Sequence, residues 1–346
     1  MKSTQIASQL WARLWQDYSH RVQYARIYQQ MLQQAGGAIA NDHIAFRSLR
    51  LSVSGMETRG WGDAETRRWG DKETRETTNS QFPIPDSQTT NNQQPTTNNK
   101  LGIPYIANLA EALGYEVAGE YNFAEQHVYA RHYRHPEQDR FDLPKLFISE
   151  LLVDSLPAAI TQLIKQTVSD GSFYELDNLN QAIAAASTTK ELETIVTQLQ
   201  GVFTRPWQPP RRSVVEAVNA VSQYGAWVLL HGYAVNHFTA YVNRQNTPLY
   251  PDIESTARGL AELGIPMKTR IEGNRGSGLR QTATHAVTEM VLVQDDTSGK
   301  LVRIPWTYAY YEIAERNLVE IAPGQQELFE GFLRPQAQNL FELTRN

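Results

Sequence analysis

The stretch NDHIAFRSLR, at residues 41–50, has a distant counterpart in VNHFTAYVNR, at residues 235–244. Both contain a short run of apolar, aromatic and β-branched residues, which favour β-strands. A histidine stands at the head of each run, His43 in the first and His237 in the second. Two histidines in matching surroundings indicate one structural unit used twice, with each copy offering a ligand to a shared metal.

The overall composition is that of a globular protein. The chain has 346 residues, 41% of them hydrophobic and 10% aromatic, which suffices for a large core. Its net charge of −5 gives no basic surface of the kind that nucleic acids require. No run of about 18 apolar residues is present, so we expect no transmembrane helix and no membrane partner. The first residues do not resemble a signal peptide, and we expect a cytoplasmic protein.

The order of predicted elements repeats along the chain as β-α-β-β-β. In the first half we predict a strand, a helix ended by glycine and three further strands: His43–Val53, Ile103–Leu113, Tyr115–Tyr121, His127–Tyr133 and Leu146–Val153. In the second half the corresponding elements are Trp227–Val242, Ile253–Leu263, Met267–Glu272, Thr282–Val293 and Leu301–Ile313. The duplication is therefore predicted from element order and the placement of histidine.

These elements predict a single domain over residues 1–346. Module one covers about 40–155, a helical connector about 156–222 and module two about 225–320, with a helix at 4–34 before them. Module one contains an insertion at 54–99, where an eight-residue quasi-repeat (ETRGWGDA, ETRRWGDK, ETRETTNS) runs into a polar tract. Because this stretch has too few apolar residues to form a core, we predict that it is disordered. A linker between domains is less favoured, because the strand before it is too short to stand alone.

The absence of cysteine means that any metal must be bound by histidine and carboxylate side chains. His43 and His237 are the candidates at matching positions. His231 is a rival to His237, because it has the same strand parity, although Gly232 beside it would bend a strand. A single histidine on a strand is more often structural than a ligand, and a reactive iron site needs a carboxylate as third ligand.

Glu312 is the carboxylate candidate. It lies in WTYAYYEIAERN, among apolar and aromatic residues, where an acidic side chain is costly unless it is paired or bound to a metal. A glutamate facing solvent on an edge strand, or paired with Arg316, would also produce this pattern. Glu150, in LFISELLVDS, is the apparent counterpart of Glu312 in the first half and competes with it as the third ligand.

Two further side chains are candidates for substrate binding. Arg47 follows His43 by four residues, so the two share a strand face with Cα atoms about 13 Å apart, and its guanidinium could clamp a substrate carboxylate. An arginine paired with a structural acid is the alternative. The Gly-rich stretch EGNRGSGLRQTAT (272–284) lacks the features of a phosphate loop and is interpreted as a mobile flap, with Gln281 a polar contact to substrate.

Five motifs, in this order, resemble the 2-oxoadipate dioxygenase/decarboxylase family: DHIAFRSLR, FISELLVD, VNHFTAYV, LRQTATHAV and YYEIAER. The resemblance covers most of the chain apart from 54–99 and the extreme C-terminus. It implies an α+β fold of the vicinal oxygen chelate-like class. In that fold two βαβββ modules form a curved sheet or half-barrel around a metal, here with extra helices at the N-terminus and between the modules. The short segment after Glu312 resembles the plant and cyanobacterial-type branch of the family.

The resemblance also implies the chemistry. Fe(II) would be held by His43, His237 and Glu312, with Arg47 as the substrate-binding and catalytic arginine. The expected substrates are 2-oxoadipate, or a similar 2-oxo diacid, and O2, and the expected products are 2-hydroxyglutarate and CO2. Because one fold supports several chemistries, two alternatives stay open: a metal-dependent lyase or isomerase, and a non-catalytic protein that binds a small acid.

Overall fold

The computed structural model describes residues 2–52 and 100–332. The insertion predicted at 54–99 lies outside the described residues. The helix predicted at 4–34 is present as two helices that meet at Val22, α1 (Lys2–Arg21) and α2 (Gln23–Gln34). No helix in the described part of the chain is long and apolar enough to cross a membrane.

The first module has the predicted β-α-β-β-β order, with one added helical turn. Its elements are β1 (Asn41–Arg50), α3 (Ile103–Ala112), β2 (Glu116–Phe123), β3 (Val128–Arg134), α4 (Gln138–Phe141) and β4 (Lys145–Leu152). The strands lie within a few residues of the predicted bounds. Short apolar or alternating runs bounded by turns therefore predict this half of the fold well.

The connector is helical and extends beyond its predicted end. Its helices are α5 (Ala158–Val168), α6 (Leu176–Ala185), α7 (Thr189–Val202), α8 (Arg212–Val221) and α9 (Gln223–His231). Helix α9 occupies the place where we predicted the start of strand Trp227–Val242, so that part of the prediction is wrong. Ser222 caps the helix by accepting the Gly225 N–H, and Gly232 ends it at a φ of 61°. Because α9 is buried on every side, its apolar run has no helical periodicity to detect.

The second module keeps the element order but divides two of the predicted strands. Its elements are β5 (Val235–Tyr241), α10 (Ile253–Glu262), β6 (Leu279–Ala283), β7 (Thr288–Gln294), β8 (Leu301–Thr307), β9 (Glu312–Arg316), β10 (Leu318–Ala322) and β11 (Gln325–Leu328). Strands β7 and β8 form a separate hairpin, as do β10 and β11. The predicted strand Met267–Glu272 makes two isolated bridges, Met267 with Thr284 and Glu272 with Gln281. The edge of this module is therefore less regular than predicted.

Both modules share one curled seven-stranded sheet, in the order β2-β3-β4-β1-β5-β9-β6. Strands β1 and β5 pair antiparallel at its centre, with Ala45 opposite His237. This pairing joins the modules and brings the two quoted histidine stretches side by side.

Side chains alternate between the two faces of this sheet. Phe46 and Phe238 point away from the histidines and pack against α1, with ring centroids 6.3 Å from Trp11 and 5.2 Å from Trp15, respectively. We call the opposite face, which carries His43 and His237, the inner face. The aromatic contacts with α1 bury the outer face and leave the inner face to form a site.

Candidate metal centre

His43, His237 and Glu312 come from three neighbouring strands, β1, β5 and β9. Strand register brings them together, because Thr239 of β5 lies opposite both His43 and Glu312. The two histidine Nε2 atoms are 3.4 Å apart, and Glu312 oxygens lie 3.4 Å from His43 Nε2 and 3.9 Å from His237 Nε2. All three residues are buried. The structure thus places the three predicted ligands in one cluster.

The donor set and its spacing fit a divalent metal ion. Two imidazoles and one carboxylate are the ligands of non-haem iron sites that leave positions open for substrate. Bonds of about 2.0–2.2 Å put neighbouring ligand atoms about 3.0–3.5 Å apart, close to the separations found here. Glu312 Oε2 is buried without a hydrogen-bond partner among the described residues. A metal cation would satisfy this oxygen and compensate its charge.

Glu312 neither faces solvent on an edge strand nor pairs with Arg316. Strand β9 lies inside the sheet, between β5 and β6, so Glu312 is enclosed. Arg316 pairs with Asp42, whereas Glu312 accepts a hydrogen bond from Thr239 Oγ1 at 3.3 Å. Burial raises the pKa of Glu312 to about 8, while the charge of Lys268 lowers it and that of Glu272 raises it. Such a carboxyl group is costly to ionise without a cation beside it.

Each histidine is oriented by the residue before it. His43 Nδ1 donates to Asp42 Oδ2 at 2.9 Å, and His237 Nδ1 donates to Asn236 Oδ1 at 3.0 Å. Both contacts put the ring proton on Nδ1, so that the Nε2 atoms face the centre of the cluster, where His43 Nε2 also lies 3.1 Å from Thr239 Oγ1. Burial lowers the pKa of both rings, which favours the neutral form that binds metals. We did not identify Asp42 and Asn236 from the sequence, although the Asp-His and Asn-His pairs stand at equivalent places in the two quoted stretches.

Asp42 is itself held by Arg316, which is fully buried. Arg316 Nε and Nη2 donate to the two carboxylate oxygens at 2.5 and 2.8 Å, and its Nη1 donates to the carbonyls of Phe329 and Gly331. Burial alone would raise the pKa of Asp42, but the charge of Arg316 holds it well below its usual range. His43 is therefore supported by an ionised carboxylate with a fixed position.

Replacing Asp42 by Asn is expected to lower the affinity for a divalent metal about 10- to 100-fold, because the group that accepts the Nδ1–H of a ligand histidine sets the orientation and basicity of its ring. It should also destabilise the fold by about 3–5 kcal/mol, since Arg316 keeps a buried charge without a counterion. Competition with a chromophoric chelator measures the first effect and urea unfolding the second. Asp142→Asn, in an exposed ion pair with Arg244, is the control. A metal affinity within twofold of wild type would show that Asp42 does not orient His43.

Arg47 lies on β1, buried, and its Nη1 has no hydrogen-bond partner in the residues that the structure describes. Its guanidinium carbon lies 4.9 Å from the ring centroid of Tyr224 and 5.3 Å from that of Trp227. No carboxylate of the described ranges forms an ion pair with it. Within these ranges Arg47 is therefore not paired with a structural acid, which was the alternative interpretation. Its charge contributes, after burial and His43, to the lowered pKa of His237. Arg47 is thus a buried cation near the cluster with a free donor.

Gln281 lies on β6 and is also buried. It stands opposite Ala314, two residues from Glu312 on the same face of β9, so its side chain shares the inner face with the cluster. The Gly-rich segment before it is closed at its base by backbone hydrogen bonds in both directions between Glu272 and Gln281, at 2.7 and 3.0 Å. This placement is consistent with a polar contact to substrate.

His231 lies apart from the cluster, on helix α9. Its ring packs against Trp227 and Tyr308, with centroid separations of 4.8 and 4.9 Å, and its Nδ1 lies 3.3 Å from Glu289. The strand parity that made it a rival ligand does not exist, because the residue is helical.

Glu150 has a structural role that differs from the position of Glu312 in the cluster. It accepts the N–H of Ile103 at the start of α3 and pairs with Arg50. In the second module Glu315 does the same, accepting the N–H of Ile253 at the start of α10 and pairing with Arg280. The expected correspondence between Glu150 and Glu312 is therefore wrong.

The strand register identifies the true counterpart of Glu312. Phe147 stands opposite Ala45, two residues after His43, as Glu312 stands opposite Thr239, two residues after His237. The site has one carboxylate because the first module carries a phenylalanine at this position.

The chain resembles known proteins in sequence as well as in fold. Residues 96–342 match the family model described as 2-oxoadipate dioxygenase/decarboxylase. A chloroplastic 2-oxoadipate dioxygenase/decarboxylase of Arabidopsis thaliana is 29% identical over 213 residues, covering 58% of this chain and 51% of the relative. The matched region thus spans about half the length of that relative.

Two solved structures resemble the whole fold. Hydroxyglutarate synthase from Oryza sativa, in complex with 2-oxoadipate, has a TM-score of 0.68 at 19% identity, covering 99% of this chain and 93% of the other. A protein from Ralstonia eutropha JMP134 that bears a glyoxalase superfamily name has a TM-score of 0.70 at 21% identity, covering 94% and 86%. At these identities the likeness shows the fold, and the predicted vicinal oxygen chelate-like class is confirmed.

Proposed function

The chain belongs to the 2-oxoadipate dioxygenase/decarboxylase family, and from this membership we propose that it is an Fe(II)-dependent dioxygenase acting on 2-oxoadipate or a similar 2-oxo diacid. From 2-oxoadipate the products are 2-hydroxyglutarate and CO2. One O2 per substrate balances this reaction without another reductant. The observation that carries the proposal is a buried two-histidine, one-carboxylate cluster in the same inner-face region as a buried arginine without an acid partner among the described residues.

His43, His237 and Glu312 would hold the iron, each through one atom. Bound there, Fe(II) supplies a redox-active centre with open positions for a 2-oxo acid and O2. Asp42 and Asn236 keep the two imidazoles in the orientation that presents Nε2. The protein's part is to fix three ligands and leave the remaining space to the reactants.

Arg47 would bind the distal carboxylate of the diacid. Its guanidinium can form two parallel hydrogen bonds to a carboxylate, and no internal acid among the described residues competes for it. The rings of Tyr224, Trp227 and Tyr310 limit access of water to this region, since all three are buried. In a water-poor site such an ion pair is strong, so the arginine favours substrates with a second carboxylate.

We expect anaerobically purified protein, loaded with Fe(II) and mixed with 2-oxoadipate, to consume one O2 for each CO2 released when oxygen is admitted. An oxygen electrode, CO2 trapping and chromatography of 2-hydroxyglutarate measure the three quantities. Metal-free protein and Fe(II) without protein are the controls, and Mn(II)- and Co(II)-loaded samples test the choice of metal. Consumption of 2-oxoadipate without O2 uptake would instead favour a lyase or isomerase. Binding without turnover would favour a small-acid binding protein.

A further inference from the structure

A lysine–glutamate pair lies at the end of the inner face opposite to Arg47. Lys268 Nζ is 3.3 Å from Glu272 Oε1, and their side chains are 22% and 19% exposed. Both belong to the segment 267–272, which bridges to the free edge of β6, the last strand of the sheet. The pair is therefore at the rim of the sheet, partly open to solvent, whereas Arg47 is fully enclosed.

Strand register places this pair on the same face as the metal cluster. Glu272 and Gln281 exchange both backbone hydrogen bonds, so their side chains point to the same side of the sheet. Gln281 shares the inner face with Glu312, and Glu272 consequently does so too. Glu272 Oε2 is buried without a hydrogen-bond partner in the described ranges. The opposing effects of Lys268 and Glu272 on the pKa of Glu312 agree with this proximity.

Arg47 thus lies on the β1 side of the cluster and Lys268 on the β6 side. Two other cations near His43 have acid partners: Arg316 pairs with Asp42, and Lys145 pairs with Glu330. A 2-oxo diacid also carries two charges, one at each end. If its distal carboxylate bound to Arg47 and its ketone faced the cluster, the carboxylate next to the ketone would be directed toward β6, because β6 lies beyond β9 from β1 in the strand order. An ammonium group has three donor hydrogens, and Glu272 occupies one of them, so Lys268 can bind a second carboxylate.

Resting on the proposed function, we propose that Lys268 binds the carboxylate adjacent to the ketone of the 2-oxo acid, with Glu272 holding its ammonium group at the inner face. Lys268 then recognises every 2-oxo acid, whether or not it has a second carboxylate. Arg47 distinguishes diacids from monoacids. The two cations therefore have separable roles in substrate selection.

Calorimetric titration of Zn(II)-loaded protein with 2-oxoadipate and with 2-oxohexanoate, which has the same chain length and no distal carboxylate, tests this division. Lys268→Met should weaken binding of both acids about 10-fold or more, as expected for loss of a hydrogen bond between charged groups. Lys268→Arg should restore most of the affinity. Lys300→Met, on the exposed β7–β8 turn, is the matched control and should change neither affinity. Arg47→Met should weaken binding of the diacid alone.

Unchanged affinities in Lys268→Met would overturn the proposal, as would a loss confined to 2-oxoadipate. Zn(II) titration and thermal melting of each variant show whether a substitution has disturbed the metal site or the fold. Weakened zinc binding by Lys268→Met would also count against the proposal. The titration requires neither iron nor O2. A protein that binds both acids through Lys268 but consumes no oxygen would refute the dioxygenase assignment and leave this inference standing.

Discussion

Glu312→Gln is expected to abolish iron-dependent oxygen uptake with 2-oxoadipate, lowering turnover about a thousandfold or more. The amide has the shape of the carboxylate but no charge, so it is a poor ligand to a hard divalent cation. The cluster then keeps two neutral imidazoles, which do not hold a metal in a fixed facial arrangement. Metal content after dialysis and oxygen uptake under saturating Fe(II) measure the two losses.

The same substitution should stabilise the folded state of the metal-free protein. Burial raises the pKa of Glu312 from 4.5 to about 8, so this group lowers the free energy of unfolding progressively as the pH rises from 4.5 to about 8, and a neutral amide avoids that loss. Metal-free Glu312→Gln should therefore unfold at a higher urea concentration than the metal-free parent. Glu150→Gln is the matched buried control: it should keep metal binding but lose stability, because an amide has one acceptor oxygen for the two donors, Arg50 and the Ile103 N–H, and no charge to pair with Arg50. Normal turnover by Glu312→Gln, or by His237→Ala, would exclude the cluster as the reactive site.

Arg47→Met is expected to raise the KM for 2-oxoadipate about 100-fold while iron binding is retained. Methionine fills the space between Tyr224 and Trp227 without a donor for the distal carboxylate. The effect should be specific to diacids, so that oxygen uptake with 2-oxohexanoate changes little. Steady-state kinetics with both acids, together with an Fe(II) titration, separates substrate recognition from metal loss.

Arg50→Met is the matched control for this arginine. It lies on the same strand three residues later, on the other face, and pairs with Glu150. We expect it to change stability and leave the KM unaltered. An unchanged KM for 2-oxoadipate in Arg47→Met would refute the carboxylate clamp.

The local pattern of apolar and polar residues was sufficient to predict the elements of the first module, but not all of those in the second. Strands β1 to β4 show short apolar or alternating runs bounded by turns, and their predicted bounds are confirmed within a few residues. Helix α9 is apolar on every side, and a uniformly apolar run has the same appearance in a buried helix as in a buried strand. The separate β7–β8 hairpin could not be anticipated, because whether a strand joins a sheet depends on distant partners.

The sequence by itself determined the kind of site. Without cysteine, the ligands had to be histidine and carboxylate, and the repeated stretches singled out His43 and His237. The five ordered motifs indicated the family. These conclusions depend on residue identity and local order, which are properties of the chain alone.

Only the tertiary structure decided which side chains share the site. The register of β9 against β5 brings Glu312 to the cluster, while that of β4 against β1 puts Phe147 at the equivalent place and leaves Glu150 to cap a helix. Tertiary structure also brings Arg316 to Asp42. It places the ion pair of Lys268 and Glu272 on the face of the sheet that carries the cluster. Register shifts of one residue reverse the face of every side chain, and pairing between distant strands sets the register.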